Sequence, residues 1–381
     1  MKKLLIAAIV VLAVSAAPAR AQKIATPPSA SHADTASAPF LISSIRVQGP
    51  LDFCGEPVPL GEPDVRERLE KELLTTIWNR PQTILWLKRA GRHVPYIEEE
   101  LRRNEMPSDL KYMAIIESAL LPHIGSNRGA RGFWQFIDPT AARFGMVVNS
   151  EIDERRSLPH STRAAIAYLK SLYADLKSWT LAAAAYNMGE EGLKAEILVQ
   201  NTNDYYRLYL PLETQQYVFR AIAAKMVHTN PRAYGFTLNG DDLYRPVDTE
   251  AVEVKATKDT PIFLIAQAAN TSFKGIKDLN PEIRGYYLVE GTRTILVPRG
   301  SAAGFQQRLE KLMEQWLAER WNFVYTVKKG DTLSGIAQRF DVPLPALMIW
   351  NRTDRKRPLQ PGEKLFIFAE SARTNGNGGT R

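Results

Sequence analysis

The chain repeats itself. Shifted by 71 positions, Ile265-Ala266-Gln267 falls on Ile336-Ala337-Gln338, Asn280 on Asn351 and Gly291 on Gly362, while Asp259-Thr260 falls on Asp331-Thr332 at a shift of 72. Self-similarity at one spacing means one structural unit used twice. Each copy reads as strand, helix, helix, strand, with β-type runs at Val252–Val254 and Thr294–Val297 in the first and at Tyr325–Val327 and Leu365–Phe368 in the second. In the second copy, 323–369, Gly330-Asp331 turns the first strand into a helix N-cap and Pro361-Gly362 turns the chain into the closing strand. Those turns lie on one side of the unit and frame a shallow groove edged by Gly330, Asp331 and Thr332. The first copy, 249–299, has Lys258 in place of the turn glycine and Pro261 after Asp259-Thr260. Between the copies, over 300–322, Phe305, Leu309, Leu312, Trp316 and Leu317 stripe one face of a connecting helix. Its other face is mixed in charge, so the stripe is expected to pack on a neighbouring domain.

Upstream of Tyr234 the texture is helical. From Asp64, read as an N-cap, Val65, Leu69, Leu73 and Ile77 recur every fourth residue. Two short helices are expected at Gln82–Arg89 and Val94–Asn104, punctuated by Pro81, Gly91 and Pro107. No alternating strand pattern interrupts 107–227. The expectation is an α+β multidomain chain: a helical extension (41–104), an all-α domain (105–230), then two small β-α-α-β modules. A length of 381 residues suits that number of domains.

The net charge of +8 leaves nucleic acid, a membrane surface or an acidic polymer open as partners. The first residues narrow the choice. Lys2-Lys3, an apolar run from Leu4 to Ala17 and Ala19-Arg20-Ala21 read as a secretory signal peptide cleaved after Ala21. The run is shorter than the roughly 20 residues a spanning helix needs. Removal of residues 1–21 takes Lys2, Lys3 and Arg20 and no acid, so the charge falls from +8 to +5. Export argues against nucleic acid and for an anionic wall polymer in the periplasm. Residues 22–40 and the tail 370–381 are too poor in large apolar side chains to fold, and read as a tether and a disordered tail. The single cysteine, Cys54, makes neither an internal disulfide nor a thiolate zinc site.

Chemistry concentrates in three islands. In the first, Leu110, Met113, Ala114 and Glu117 occupy i, i+3, i+4 and i+7 of a helix, placing a carboxylate on an apolar stripe. Its helical neighbours at three and four residues, Met113, Ala114, Leu120 and Leu121, offer no partner. Burial of an unpaired carboxylate raises its pKa, and a protonated carboxyl in a cleft is what a general acid requires. The alternative is a carboxylate reaching water or a buried backbone group. In the second, glycines from Gly125 to Gly132 lead into Phe133, Trp134 and Gln135, where an indole and an amide suit a sugar ring and its N-acetyl group. A glycine turn capped by a core tryptophan has the same pattern. In the third, Ala182–Ala185 permits close helix packing and Gly189 ends the helix, leaving Tyr186 and Asn187 to line a cleft or to serve as buried tyrosine and C-cap.

Together, Glu117-Ser118, Gly132-Phe133-Trp134-Gln135 and Ala185-Tyr186-Asn187 resemble the ES, GLMQ and AYN motifs of family 1 lytic transglycosylases, soluble-type enzymes with a goose-lysozyme-like fold. Phe133-Trp134 replaces the usual Leu-Met. The stretch Leu210–Val218 resembles the sequence that follows this domain in a membrane-bound member, whose lipobox cysteine is missing here. Residues 325–365 resemble a LysM module, which binds N-acetylglucosamine polymers.

The resemblance implies cleavage of the β-1,4 bond between N-acetylmuramic acid and N-acetylglucosamine without water or cofactor. Glu117 is then the catalytic acid and base. Tyr186 is expected to hydrogen-bond and orient it. Ser118, Trp134, Gln135 and Asn187, with Gly330, Asp331 and Thr332 in LysM, are expected to contact or support glycan. No metal is implied, and the five histidines show no ligand spacing. Two other readings stay open: a hydrolase with Asp138, Glu151 or Asp153 as second carboxylate, and a silent wall-binding scaffold.

Overall fold

A computed structural model of the chain describes residues 46–320 and 324–368. The expected signal peptide, the tether and the tail from 370 lie outside the described residues. Among those described, no helix is long and apolar enough to cross a membrane.

A two-residue hairpin, β1 (Asp52–Phe53) and β2 (Glu56–Pro57), precedes the helices α1 (Pro63–Trp78), α2 (Arg80–Arg103), α3 (Lys111–Ser118), α4 (Asp138–Arg143), α5 (Leu158–Leu176), α6 (Trp179–Met188), α7 (Glu190–Gln200) and α8 (Leu212–Thr229). They share one apolar core. The stripe Val65, Leu69, Leu73 and Ile77 is buried against it. Helix α1 nevertheless starts at Pro63, whose fixed φ suits the first turn. Asp64 is therefore inside that turn, paired with Arg68, and is not the cap.

The two short helices expected between Gln82 and Asn104 are one. Helix α2 runs through both Gly91 and Pro95. At Gly91 a Cβ would lie 2.9 Å from Leu243 Cβ and 3.0 Å from the Tyr244 carbonyl oxygen. The glycine makes room for a returning chain, whose Tyr244 N–H bonds the Lys88 carbonyl at 2.9 Å. Buried Leu87, Ile97 and Leu101 anchor the helix on both sides of Pro95, so tertiary packing outweighs the lost backbone bond.

Helix α6 is the inner element of this domain. Ala182–Ala185 are fully buried, and α5, α7 and α8 pack around them at the short distances that small side chains allow.

The second half contains two β-α-α-β units, in agreement with the fold class read from the sequence. In the first, β3 (Thr249–Ala256) encloses β4 (Thr260–Pro261), α9 (Ile262–Ala268), α10 (Phe273–Leu279) and β5 (Tyr287–Leu288), and pairs antiparallel with β6 (Gly291–Pro298) from Thr249–Pro298 to Ala256–Gly291. Helix α11 (Phe305–Arg320) lays Phe305 and Leu309 into that unit's core. In the second, β7 (Val324–Thr326), α12 (Leu333–Arg339) and α13 (Leu344–Trp350) close on β8 (Lys364–Phe366).

One side chain explains why the repeat is visible. Asn280 donates to the Ile276 and Leu296 carbonyls at 2.9 and 2.8 Å and accepts from Leu296 N–H at 2.7 Å. Asn351 does the same with Leu347, Phe366 and Phe366 N–H at 2.8, 2.8 and 2.6 Å. In each unit the amide ties the second helix to the closing strand, using donors and acceptor together.

The first unit is joined to the helical domain by backbone bonds. Asp153 N–H donates to the Glu282 carbonyl at 2.9 Å and Arg284 N–H to that of Glu151 at 2.8 Å, around an Ile152–Ile283 bridge. Arg352 of the second unit pairs with Asp259 of the first and with Glu151 of the helical domain.

Candidate active site

Helix α3 and the turn that leads into it bury Leu110, Met113 and Ala114, and the same stripe carries Glu117 to a half-buried position. The helix then stops abruptly: Ala119 and Leu120 adopt φ of 53° and 58°, a region side-chain-bearing residues occupy at a cost of about 1–3 kcal/mol each. Ser118 is buried and its hydroxyl donates to the Phe133 carbonyl at 2.8 Å. It holds the turn at 132–135 against the end of α3, a supporting bond within the protein.

The partner of Glu117 comes from α8. The Tyr217 phenol donates to Glu117 Oε1 at 2.7 Å. Burial pushes the Glu117 carboxyl from 4.5 to about 7; the Tyr217 bond works against that, the nearby Glu213 charge adds to it and Arg220 opposes it. Glu213, Tyr217 and Arg220 stand at i, i+4 and i+7, so one face of α8 is turned to Glu117. None was singled out from the sequence, although that spacing lies in and just beyond the Leu210–Val218 stretch that the resemblance marked.

Tyr186 was expected to hold Glu117 directly, and it does not. Its phenol donates to the Trp134 carbonyl at 2.7 Å. It stays close enough for the Glu117 charge to act on it, second to burial, in holding its pKa well above the ordinary value. Trp134 is also reassigned. Its indole is fully buried and Nε1 donates to Thr162 Oγ1 at 3.0 Å, so no ring face is offered to a sugar.

Gln135 is half-buried at a φ of 49°, with Nε2 donating to the Gly132 carbonyl at 2.8 Å and that of Ile124 at 3.2 Å. Asn187 Oδ1 accepts from Thr214 Oγ1 at 2.9 Å, tying α6 to α8. Gly132 has a φ of 80°, and a Cβ there would sit 1.8 Å from the Arg155 carbonyl oxygen. The glycine thus admits neighbouring backbone. The buried Arg155 guanidinium ties the same loop together, pairing with Asp153 and Asp138 and donating to the Gly129 and Phe136 carbonyls at 3.1 and 3.2 Å.

In the second unit Gly330 turns at a φ of 87°. Asp331 accepts from the Tyr325 phenol and from Lys328 N–H, both at 2.7 Å, while Thr332 Oγ1 caps α12 through Gly335 N–H at 3.0 Å. These side chains shape the exposed turn from within.

Residues 95–208 match the family model described as Transglycosylase SLT domain, and 325–368 match the LysM domain. A transglycosylase domain followed by a LysM domain is the class that fold and site define. Over 337 residues the chain is 30% identical to membrane-bound lytic murein transglycosylase D of Escherichia coli strain K12, covering 84% of this chain and 73% of that protein, and it belongs to this lytic transglycosylase family. The protein of the same name from Escherichia coli O6:H1, strain CFT073, gives the same figures. A solved structure of an inactive mutant of lytic transglycosylase Slt from Pseudomonas aeruginosa aligns with 39% of this chain and 26% of its own, at 17% identity and a TM-score of 0.28.

Proposed function

We propose that the protein is a peptidoglycan lytic transglycosylase that uses Glu117 as its acid and base and its LysM module to hold glycan. It cleaves the β-1,4 bond between N-acetylmuramic acid and N-acetylglucosamine and leaves 1,6-anhydro ends. As C1–O4 breaks, the Glu117 proton passes to the departing oxygen. The carboxylate then takes the proton of the muramic C6 hydroxyl while that oxygen bonds C1. Glu117 ends protonated again and no water is consumed, so one carboxylate serves both halves. Ordinary glycosidases need two.

The observation that carries this reading is a half-buried carboxyl with a pKa near 7, gripped by one phenol. Such a group is poised to give and recover a proton at neutral pH. Tyr217 stabilises the ionised form and fixes the carboxyl's direction. Tyr186 acts through Trp134 as a positioning residue for the turn bearing Gln135, and Gln135 and Asn187 are candidates to meet substrate. The carboxylates considered for a hydrolase are engaged elsewhere: Asp138 and Asp153 with Arg155, Glu151 with Arg352. Glu213 is the acid whose charge Glu117 feels, and a hydrolase reading would place its base there. A leader cleaved after Ala21 would deliver the enzyme to the periplasm.

Digestion of purified peptidoglycan by wild type and Glu117→Gln tests the reading. Expected are muropeptides one water lighter than hydrolytic ends, absent with the variant. Reducing ends would establish the hydrolase instead, and no release by wild type would leave only wall binding.

A further inference from the structure

Two adjoining cavities, of about 560 and 370 Å³, lie where the helical domain meets the first β-α-α-β unit, with Arg156 and Arg284 bordering both. The larger is edged by Arg128 and Arg131, the smaller by His123 and Lys277. Among the described residues, Arg128, Arg131, Lys277 and Arg284 have no carboxylate within salt-bridge distance. Lys277 Nζ and Arg284 Nη1 donate to the Gly285 and Asn149 carbonyls at 3.0 and 2.9 Å, which bring no charge. Arg156 lies 3.3 Å from Asp153 Oδ2, yet its buried Nε–H has no hydrogen-bond acceptor.

The acids nearby do not neutralise this cluster. Asp153 is shared by Arg155 and Arg156, Asp138 at the edge of the larger cavity is paired with Arg155, Asp278 with Lys274 and Glu151 with Arg352. Burial pushes Glu282 up to about 7. Burial and the Arg156 charge lower the pKa of Lys277, and the Glu282 and Glu151 charges only partly offset them.

The loop that lines the cleft also builds the active site. The Ile124 carbonyl accepts from Gly132 N–H at 3.0 Å and from Gln135 Nε2, while His123, its neighbour, faces the cleft. His123 lies six positions from Glu117, a span of about 22 Å at most. An extended peptide of four or five residues covers about 14–17 Å.

We propose that this basic cleft binds the carboxylates of the peptide stems borne by the glycan that Glu117 cuts. The proposal rests on the transglycosylase reading for its substrate. It makes the first β-α-α-β unit part of a specificity site.

The test pairs binding with turnover. A synthetic stem tetrapeptide with free carboxylates, titrated into full-length Glu117→Gln protein, binds. The additional changes Lys277→Ala and Arg284→Ala weaken binding at least ten-fold, as expected for lost charge-assisted bonds. Lys277→Arg with Arg284→Lys restores most of it, which separates charge from folding. Amidation of the peptide carboxylates abolishes it. In otherwise wild-type enzyme, the alanine pair lowers the ratio of kcat/KM on peptide-bearing strands to that on stripped strands about ten-fold. No peptide binding, equal binding by the alanine pair, or an unchanged ratio would each overturn the proposal. Should wild type form no anhydro ends on either substrate, the transglycosylase reading fails, and the titration still decides the cleft.

Discussion

The phenol of Tyr217 lies 2.7 Å from Glu117 Oε1, although one hundred residues separate them in the chain. A hydrogen bond to a charged group is worth about 1.5–3 kcal/mol. Tyr217→Phe removes a donor that favours the carboxylate, so the alkaline limb of the pH–rate profile moves to higher pH and kcat falls about ten-fold. Tyr186→Phe costs about 1 kcal/mol of stability through the lost Trp134 bond and leaves the position of that limb unchanged. Rates from pH 5 to 9 for both variants check the contrast.

Glu117 also makes stability depend on pH. Below 4.5 its carboxyl is protonated in folded and unfolded chains alike and carries no penalty. Between 4.5 and about 7 the unfolded chain ionises first, so the folded state loses ground, and above 7 the deficit is constant. At about 1.4 kcal/mol per pH unit the loss is of order 1–3 kcal/mol, the lower figure applying where solvent reaches the carboxyl. Glu117→Gln is therefore more stable than wild type at pH 8 and equal to it at pH 4. Thermal melts at both values measure the crossover.

Gly132→Ala places a Cβ against the Arg155 carbonyl at a φ of 80°. Overpacking and the positive φ together cost about 3 kcal/mol. Urea unfolding reports the loss, and anhydro-product formation falls with it because the change displaces Gln135.

The paired asparagines give a fourth test. Asn280→Ala removes the side-chain partner of the Leu296 N–H and carbonyl, while the Ile276 carbonyl keeps the backbone N–H of residue 280, and costs about 2 kcal/mol. Asn351→Ala acts on a smaller core and opens the LysM module. Co-sedimentation with insoluble peptidoglycan is lost in Asn351→Ala and retained in Asn280→Ala.

What could be read from the sequence follows how local each signal is. The stripe Val65, Leu69, Leu73, Ile77 and the placement of Glu117 on a buried face depend only on helical period, and both were legible. Tyr217 was not, because its role arises when α8 packs across α3. Trp134 misled for a related reason: an indole beside a glycine turn looks the same whether it meets a sugar or Thr162. The continuity of α2 rests on tertiary packing: Leu243 and Tyr244 return about 150 residues later against Gly91, and buried Leu87, Ile97 and Leu101 hold the helix on both sides of Pro95. The repeat was legible because Asn280 and Asn351 perform one task that few other side chains can perform.

The seam between Glu151–Asp153 and Glu282–Arg284 has a mechanical meaning. A domain joined only by a flexible linker swivels when pulled, and the tension is lost in the linker. Here backbone bonds run from the first unit straight into the segment that ends at Arg155, whose guanidinium grips the loop leading to Gln135. A displacement of that unit is therefore carried through backbone hydrogen bonds to the loop that holds Gln135, and the two move as one body.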